Sequence, residues 1–474
     1  MLRSMNHILF SALFLGCLVT NVPAQTVLGS LFQDHMVIQA EMAAPMFGTD
    51  APGTVVEARA SWEETVRATT DASGRWLLHL HPPKDEGPHT ITVRGSSEVV
   101  LKDVLSGDVW VCGGQSNMEW TMGPHVGKGI LNHQAELAAV KHPRIRLIDV
   151  PNVAAAVPLT HFRGQWQKAD GPHVAQWSAV AWFFARDLQA VTGRPVGLIT
   201  TCWGGTSAEV WTSAGALRKH GGFEDALNAV DPSKPAGNGM PSALWNGMVA
   251  PLIPAAIRGV IFYQGEANRS RWQQYRTLFP ALIADWRSSF GCGEFPFLYV
   301  QIAPYRYEND KGEAARLREA QAMCEGNTPR TAMVCTMDIG EPGDIHPLNK
   351  QDVGKRLAAQ ALVHAYGREV AHRGPRYRSI AVEGSVARVS MDVGSQRMLA
   401  RDGRPLTHFE VAGVDRVFHA ATARIDGSSL LVESKAVPAP VAVRYAFSSA
   451  DIPNLQNDAG FPASSFRSDD WPLL

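Results

Sequence analysis

The 474-residue chain lacks an excess of either charge: 44 Lys and Arg stand against 45 Asp and Glu, leaving a formal net charge of −1. Without a basic stripe to neutralise phosphates, nucleic acid is a poor partner. Without a long run of like charges there is no solvated charged tail. Cysteine is scarce as well. Outside the first 24 residues there are five, Cys112, Cys202, Cys292, Cys324 and Cys335, an odd number with no CxxC spacing. That excludes a complete disulfide framework and the common zinc and thioredoxin-like patterns. Cys324 and Cys335 could pair in an oxidising compartment or lie buried as thiols. HExxH is absent, as are GxxxxGK[ST] and a GxGxxG after a strand, so no metal, nucleotide or other cofactor is expected. Beyond residue 25 no stretch stays apolar for the roughly 20 residues that a membrane helix needs.

Residues 1–24 carry their own pattern. Arg3 and His7 precede an apolar run over 8–19, and Val22-Pro23-Ala24 offers small residues at a cleavage point. This predicts a secretory signal cut after Ala24, a periplasmic or extracellular destination, and no membrane contact afterwards. The apolar run is too short to cross a bilayer.

The remainder divides by pattern. Over 25–105, short apolar runs at 54–60, 75–80 and 89–93 are separated by turn signals such as Asp71-Ala72-Ser73-Gly74, which predicts a small β domain with sandwich-like packing. Over 106–370, strand-like runs at 109–112, 196–201, 257–263, 297–302 and 332–337 alternate with helical runs at 178–191, 272–289, 313–324 and 350–366. Such alternation predicts an α/β unit with a parallel sheet covered by helices on both faces. Over 371–474 the chain is β-rich again, with strands expected at 386–391, 430–434 and 441–447. Whether these last strands form their own unit or join the first one stays open.

In parallel sheets ligands bind beyond the carboxyl ends of the strands, and four segments there carry chemistry. Cys112-Gly113-Gly114-Gln115-Ser116-Asn117-Met118 places a hydroxyl at a tight turn where a helix can begin. GxSxG is absent, so the α/β-hydrolase elbow is not the template. Trp203-Gly204-Gly205-Thr206 offers backbone N–H donors, and Tyr263-Gln264-Gly265-Glu266-Ala267-Asn268 offers a side-chain amide, two kinds of oxyanion donor. Asp344-Ile345-His346 sets a carboxylate two residues from an imidazole, close enough to orient it. Each segment alone reads as well as a cap or turn. Together they put a nucleophile, donors and a base at one sheet edge.

Gly114-Gln115-Ser116-Asn117-Met118, Gly204-Gly205-Thr206, Tyr263-Gln264-Gly265-Glu266-x-Asn268 and Ile345-His346-Pro347-x-Asn349-Lys350, in that order, resemble the sialate O-acetylesterase family of the SGNH hydrolases. The flanking Gly107-Asp108-Val109-Trp110, Val443-Arg444-Tyr445-Ala446 and Asn454-Leu455-Gln456-Asn457 extend the resemblance over most of the chain. It implies a flavodoxin-like catalytic domain with appended β domains, and cofactor-free hydrolysis of O-acetyl groups on sugars. Carried over, Ser116 is the nucleophile and His346 the base, and Ser116, Gly204, Gly205 and Asn268 supply the oxyanion hole. Asp344 is the expected acid, although the family's usual Asp-x-x-His spacing is absent and Asp338 and Glu341 stay as alternatives. Gln115, Gln264 and Glu266 are candidate substrate ligands, and Trp203, Trp211 and Trp245 could stack on sugar rings. The acetylated substrate is expected to be sialic acid bearing a 9-O-acetyl group, with acetyl-xylan as the alternative. A non-catalytic carbohydrate-binding protein is the competing class.

Overall fold

The computed structural model describes residues 25–472. The expected signal segment, 1–24, lies outside the described residues. Strand β1 (Glu98–Gly114) organises the molecule, being 17 residues long and crossing from one unit into the next. Its first half pairs with the strand His89–Arg94. Its second half, from Asp108, pairs in parallel with two strands of the α/β unit. The change of pattern at 105–106 is therefore no linker. One uninterrupted strand ties the first β layer to the sheet that bears the site.

The α/β sheet adds β2 (His142–Asp149), β3 (Val196–Cys202), β4 (Gly259–Tyr263), β5 (Phe297–Val300) and β6 (Thr331–Val334). Their order across the sheet is β2-β3-β1-β4-β5-β6, every pairing parallel. These strands read as continuous apolar runs because both faces are covered. Alternate residues part company accordingly. Trp110, Cys112, Leu198, Ile261 and Leu298 enter one core with helices Ala179–Thr192 and Lys350–His364. Val111, Ile199, Val260, Phe262 and Tyr299 enter the other with helices Trp272–Phe290 and Glu313–Asn327. Strand β2 was not expected. Pro143, Arg144 and Arg146 make it look like a polar loop, but Arg146 is only 3% exposed and is held by Asp103 at 2.9 Å.

Below, α1 is Ser116–Glu119, α2 Ala179–Thr192, α3 Trp272–Phe290, α4 Glu313–Asn327 and α5 Lys350–His364. Helices α2 and α5 approach closely at Gly354, where an added Cβ would lie 2.4 Å from Phe183 Cβ and 2.7 Å from the Phe184 backbone nitrogen. Alanine at 354 would gain helix propensity of about 1 kcal/mol. The backbone contact cannot yield as a flexible side chain would, and overpacking of this kind costs roughly 1–3 kcal/mol. Gly354→Ala is therefore expected to lower the melting temperature, measurable by circular dichroism. An unchanged or raised value would contradict this account of the contact.

The two β regions stay apart. In the first, the strands Val55–Ala60 and Arg75–Leu80 bury every second residue, Val56, Ala58 and Ala60 against Trp76, Leu78 and Leu80. The C-terminal strands form a separate seven-stranded antiparallel sheet, built on Ala387, Val389, Leu430, Val432 and Val443. All five described cysteines are free, so Cys324 and Cys335 are not bridged. Burial pushes their thiols up to about 11 and about 12. Among the described residues no helix is long and apolar enough to cross a membrane.

Candidate active site

The carboxyl ends of β1, β3 and β4 are laced together by backbone bonds. Gln115 N–H donates to Tyr263 O at 2.9 Å, and Trp203 N–H donates to Gly114 O at 3.0 Å. Gly114 makes this possible: its φ is +140°, and a Cβ there would stand 2.2 Å from the Tyr263 carbonyl oxygen. Gln115 is extended, and α1 begins immediately with Ser116. The turn thrusts the Ser116 hydroxyl into an open cleft of about 670 Å³.

His346 comes to it from the loop between β6 and α5. Its Nε2 lies 2.8 Å from Ser116 Oγ, across 230 residues of sequence. Trp120, one turn beyond Ser116, stacks on the imidazole with centroids 4.9 Å apart and an interplanar angle of 27°. Asp344 Oδ1 accepts the His346 backbone N–H at 2.9 Å and stands 3.8 Å from Nδ1. Asp344, the expected acid, thus faces the ring nitrogen remote from Ser116, beyond hydrogen-bond length, and it also pairs with Lys128. Burial works to raise the Asp344 pKa, but the bonds from Lys128 and the His346 N–H hold it below the usual carboxylate range. Burial, reinforced by the Lys350 charge, lowers the His346 pKa against the pull of Asp344. The alternative acids are occupied elsewhere. Asp338 takes a bidentate pair from Arg356 at 2.7 and 2.6 Å, and Glu341 accepts the Leu348 N–H at 2.8 Å.

The expected oxyanion donors divide. Among the described residues the N–H groups of Ser116 and Gly205 have no protein partner, and both residues line the cleft. Gly204 lines it too, but its N–H donates to Glu119 Oε2 at 2.7 Å. Asn268 corrects the expectation. It is fully buried, its Oδ1 accepts from Ala208 N–H at 2.8 Å and from Gln264 Nε2 at 2.7 Å, and its Nδ2 donates to Glu209 at 3.1 Å. The amide braces the loops behind the cleft and is not presented to it.

The expected substrate ligands also sort by burial. Gln264 is 1% exposed and bonds to Thr206 O and Asn268, while Tyr275 OH donates to its Oε1 at 3.2 Å, so it belongs to the scaffold. Gln115 Oε1 accepts from Gly265 and Ala267 N–H groups, which makes it a bracket for that loop at the cleft edge. Glu266 forms part of the cleft floor, and burial raises its pKa. Trp211 and Trp245 are core residues, and Trp203 packs against that core. None of the three lines the cleft; Trp120 does.

Sequence reasoning passed over Glu119 and Trp120, although positions three and four beyond Ser116 share its helix face. Lys128 carried no sequence signal. Among the described residues no group of three or more His, Cys, Asp or Glu is placed to hold a metal ion. The arrangement can do nucleophilic acyl chemistry: a part-exposed hydroxyl, an imidazole in contact with it, a carboxylate behind the imidazole and free N–H donors beside it.

Residues 106–363, which contain the whole site, match the family model described as carbohydrate esterase, sialic acid-specific acetylesterase. The chain is 31% identical over 385 residues to the sialate O-acetylesterase of Homo sapiens, spanning 73% of this chain and 72% of that relative. It is 32% identical over 416 residues to the Rattus norvegicus enzyme of the same name, spanning 74% and 76%. Among solved structures it resembles a carbohydrate acetylesterase from Xanthomonas citri, with a TM-score of 0.87 and 36% identity, over 94% of this chain and all of that one.

Proposed function

The chain belongs to the sialic acid-specific acetylesterase family of carbohydrate esterases, and on that premise we propose that this ester hydrolase removes O-acetyl groups from sugars through an acetyl-Ser116 intermediate. The observation that carries the proposal is the 2.8 Å contact between Ser116 Oγ and His346 Nε2. His346 takes the hydroxyl proton as Ser116 attacks the acetyl carbonyl. The N–H groups of Ser116 and Gly205 receive the developing negative charge, and Gly204 joins them once Glu119 gives up its N–H. His346 then protonates the departing sugar oxygen. Water, deprotonated by the same imidazole, releases acetate and restores the serine. Asp344 favours the imidazolium by its charge and fixes the backbone that carries the ring.

The catalytic unit fits a flavodoxin-like SGNH domain: without β2, the strand order is β3-β1-β4-β5-β6, a second strand beside the first and the rest following in sequence. Export is proposed from the segment 1–24, in keeping with a polymeric or cell-surface substrate.

For the sugar, family resemblance favours a 9-O-acetylated sialic acid. One observation favours the second reading, an acetylated neutral polysaccharide such as xylan. Among the described residues the cleft is lined by no arginine, its lysine Lys128 is engaged by Asp344, and Glu119 adds a carboxylate bonded only to Gly204 N–H and the Asn152 amide. A sialate carboxylate would meet like charge there. Acetate release from 9-O-acetylated sialic acid and from acetyl-xylan, by wild type and Glu119→Gln, decides between the two. If the charge discriminates, Glu119→Gln raises kcat/KM for the sialate by about tenfold and leaves xylan nearly unchanged. Equal changes with both substrates would dismiss charge discrimination and return the choice to sialic acid.

A further inference from the structure

Three buried polar side chains beside the site take no part in the steps above. Asn117 is 0% exposed, Lys350 1% and Glu266 9%. Lys350 Nζ donates to Asn117 Oδ1 at 2.6 Å and lies 5.9 Å from the Trp120 ring and 5.7 Å from the Tyr263 ring. Asn117 Nδ2 donates to Glu266 Oε1 at 2.8 Å and to the Ile345 carbonyl at 3.0 Å. Asn117 follows Ser116, and Ile345 precedes His346. One amide therefore joins the nucleophile turn to the base loop across 228 residues of sequence, one residue from each reacting group.

The orientation of that amide is what matters. In its ammonium form Lys350 has donors only, so it must take the oxygen of Asn117. The NH₂ end is then turned toward Glu266 and Ile345. Without Lys350 the amide could rotate, and the Ile345 tether would be lost. We infer that the Lys350–Asn117–Glu266 network is a positioning device for the acyl transfer, in which Lys350 locks the Asn117 amide and the amide holds the His346 loop over Ser116. This rests on the roles proposed above for Ser116 and His346.

Electrostatics give the network a signature that packing alone would not. Asp344, Lys128, His125 and Lys350 are the charged or titratable groups that act on His346. Glu266, Glu341 and Asp344 act on Lys350, whose ammonium burial pulls down to about 7. A positive Lys350 disfavours the imidazolium. Removing it therefore raises the pH below which His346 is protonated and inactive.

The test is the pH profile of kcat and KM for p-nitrophenyl acetate with two variants, both checked for folding by circular dichroism. Asn117→Asp keeps the volume and an acceptor for Lys350 while losing both donors. It is expected to lower kcat by about 100-fold, the cost of a small misplacement of a reacting group, with little change in KM. Lys350→Met is expected to lower kcat by about tenfold and to move the acid limb upward by on the order of one pH unit. Should Lys350→Met fail to fold, Asn117→Asp alone decides. Folded variants with wild-type kcat, or a Lys350→Met limb at the wild-type pH, would overturn the positioning role. Wild-type labelling of Ser116 by a serine-directed fluorophosphonate separates this failure from the other: labelling with unchanged variants sinks the network alone, whereas no labelling sinks the roles beneath it.

Discussion

Ser116→Ala is expected to lower kcat for acetyl-ester cleavage by about 10⁴- to 10⁶-fold while leaving the fold intact. The size follows from what is deleted. In the proposed mechanism the hydroxyl is the atom that forms the acyl bond, and water bound in its place would lack both its position and its contact with His346. Stability should change little, within about 0.5 kcal/mol: the side chain is part-exposed at the cleft, and among the described residues its Oγ bonds only to His346. The residual rate comes from the donors that remain. Activity within tenfold of wild type in a folded Ser116→Ala protein would remove serine catalysis from the account.

His346→Gln should be comparably severe, about 10⁴- to 10⁵-fold in kcat, because a side-chain amide cannot take the hydroxyl proton at neutral pH. Trp120 and the Asp344 backbone contact remain available to hold the loop, so loss of the base can be separated from loss of structure. Combining it with Ser116→Ala should cost little more than either alone, since the two act as one unit. The pH dependence has a definite sign. Burial and the Lys350 charge place the His346 pKa below its ordinary value of about 6.5. The base is then free at neutral pH, kcat/KM falls only as pH drops through that lowered pKa, and the acid limb lies on the acid side of an ordinary histidine. In His346→Gln that limb should vanish. A limb well above 6.5 in the wild type, or one that persists in the variant, would contradict the assignment.

Much of this was legible in the sequence for a simple reason. Strands covered on both faces must be continuously apolar, so β3, β4, β5 and β6 announced themselves, and residues just beyond such strands converge on one edge. Ser116, two residues past the end of β1, follows from that rule, whereas His346, farther beyond β6, stands out through its Asp344 neighbour and the family resemblance. What remained hidden depends on tertiary neighbours. Strand β2 carries Pro143 and two arginines, and Arg146 can be buried because Asp103, 43 residues earlier, and the His35 carbonyl take its guanidinium. Asn268 looks like an oxyanion donor until Glu209 and Gln264 are seen to hold it. Gly204 looks free until Glu119 covers its N–H. Lys350, at the first position of α5, has the sequence context of a solvent-exposed residue. Its burial against Trp120, Tyr263 and Asn117, the last of them 233 residues away in sequence, becomes visible only when these segments meet.

The covalent intermediate is the most direct object to look for. The enzyme should be mixed with p-nitrophenyl acetate, quenched in acid within the first turnovers, digested and examined by mass spectrometry. One acetyl group on the peptide bearing Ser116, absent from Ser116→Ala and from unreacted enzyme, is the expected result. An acetyl group on another residue, or rapid acetate release from an enzyme whose Ser116 never carries one even when deacylation is slowed by low pH, would contradict it.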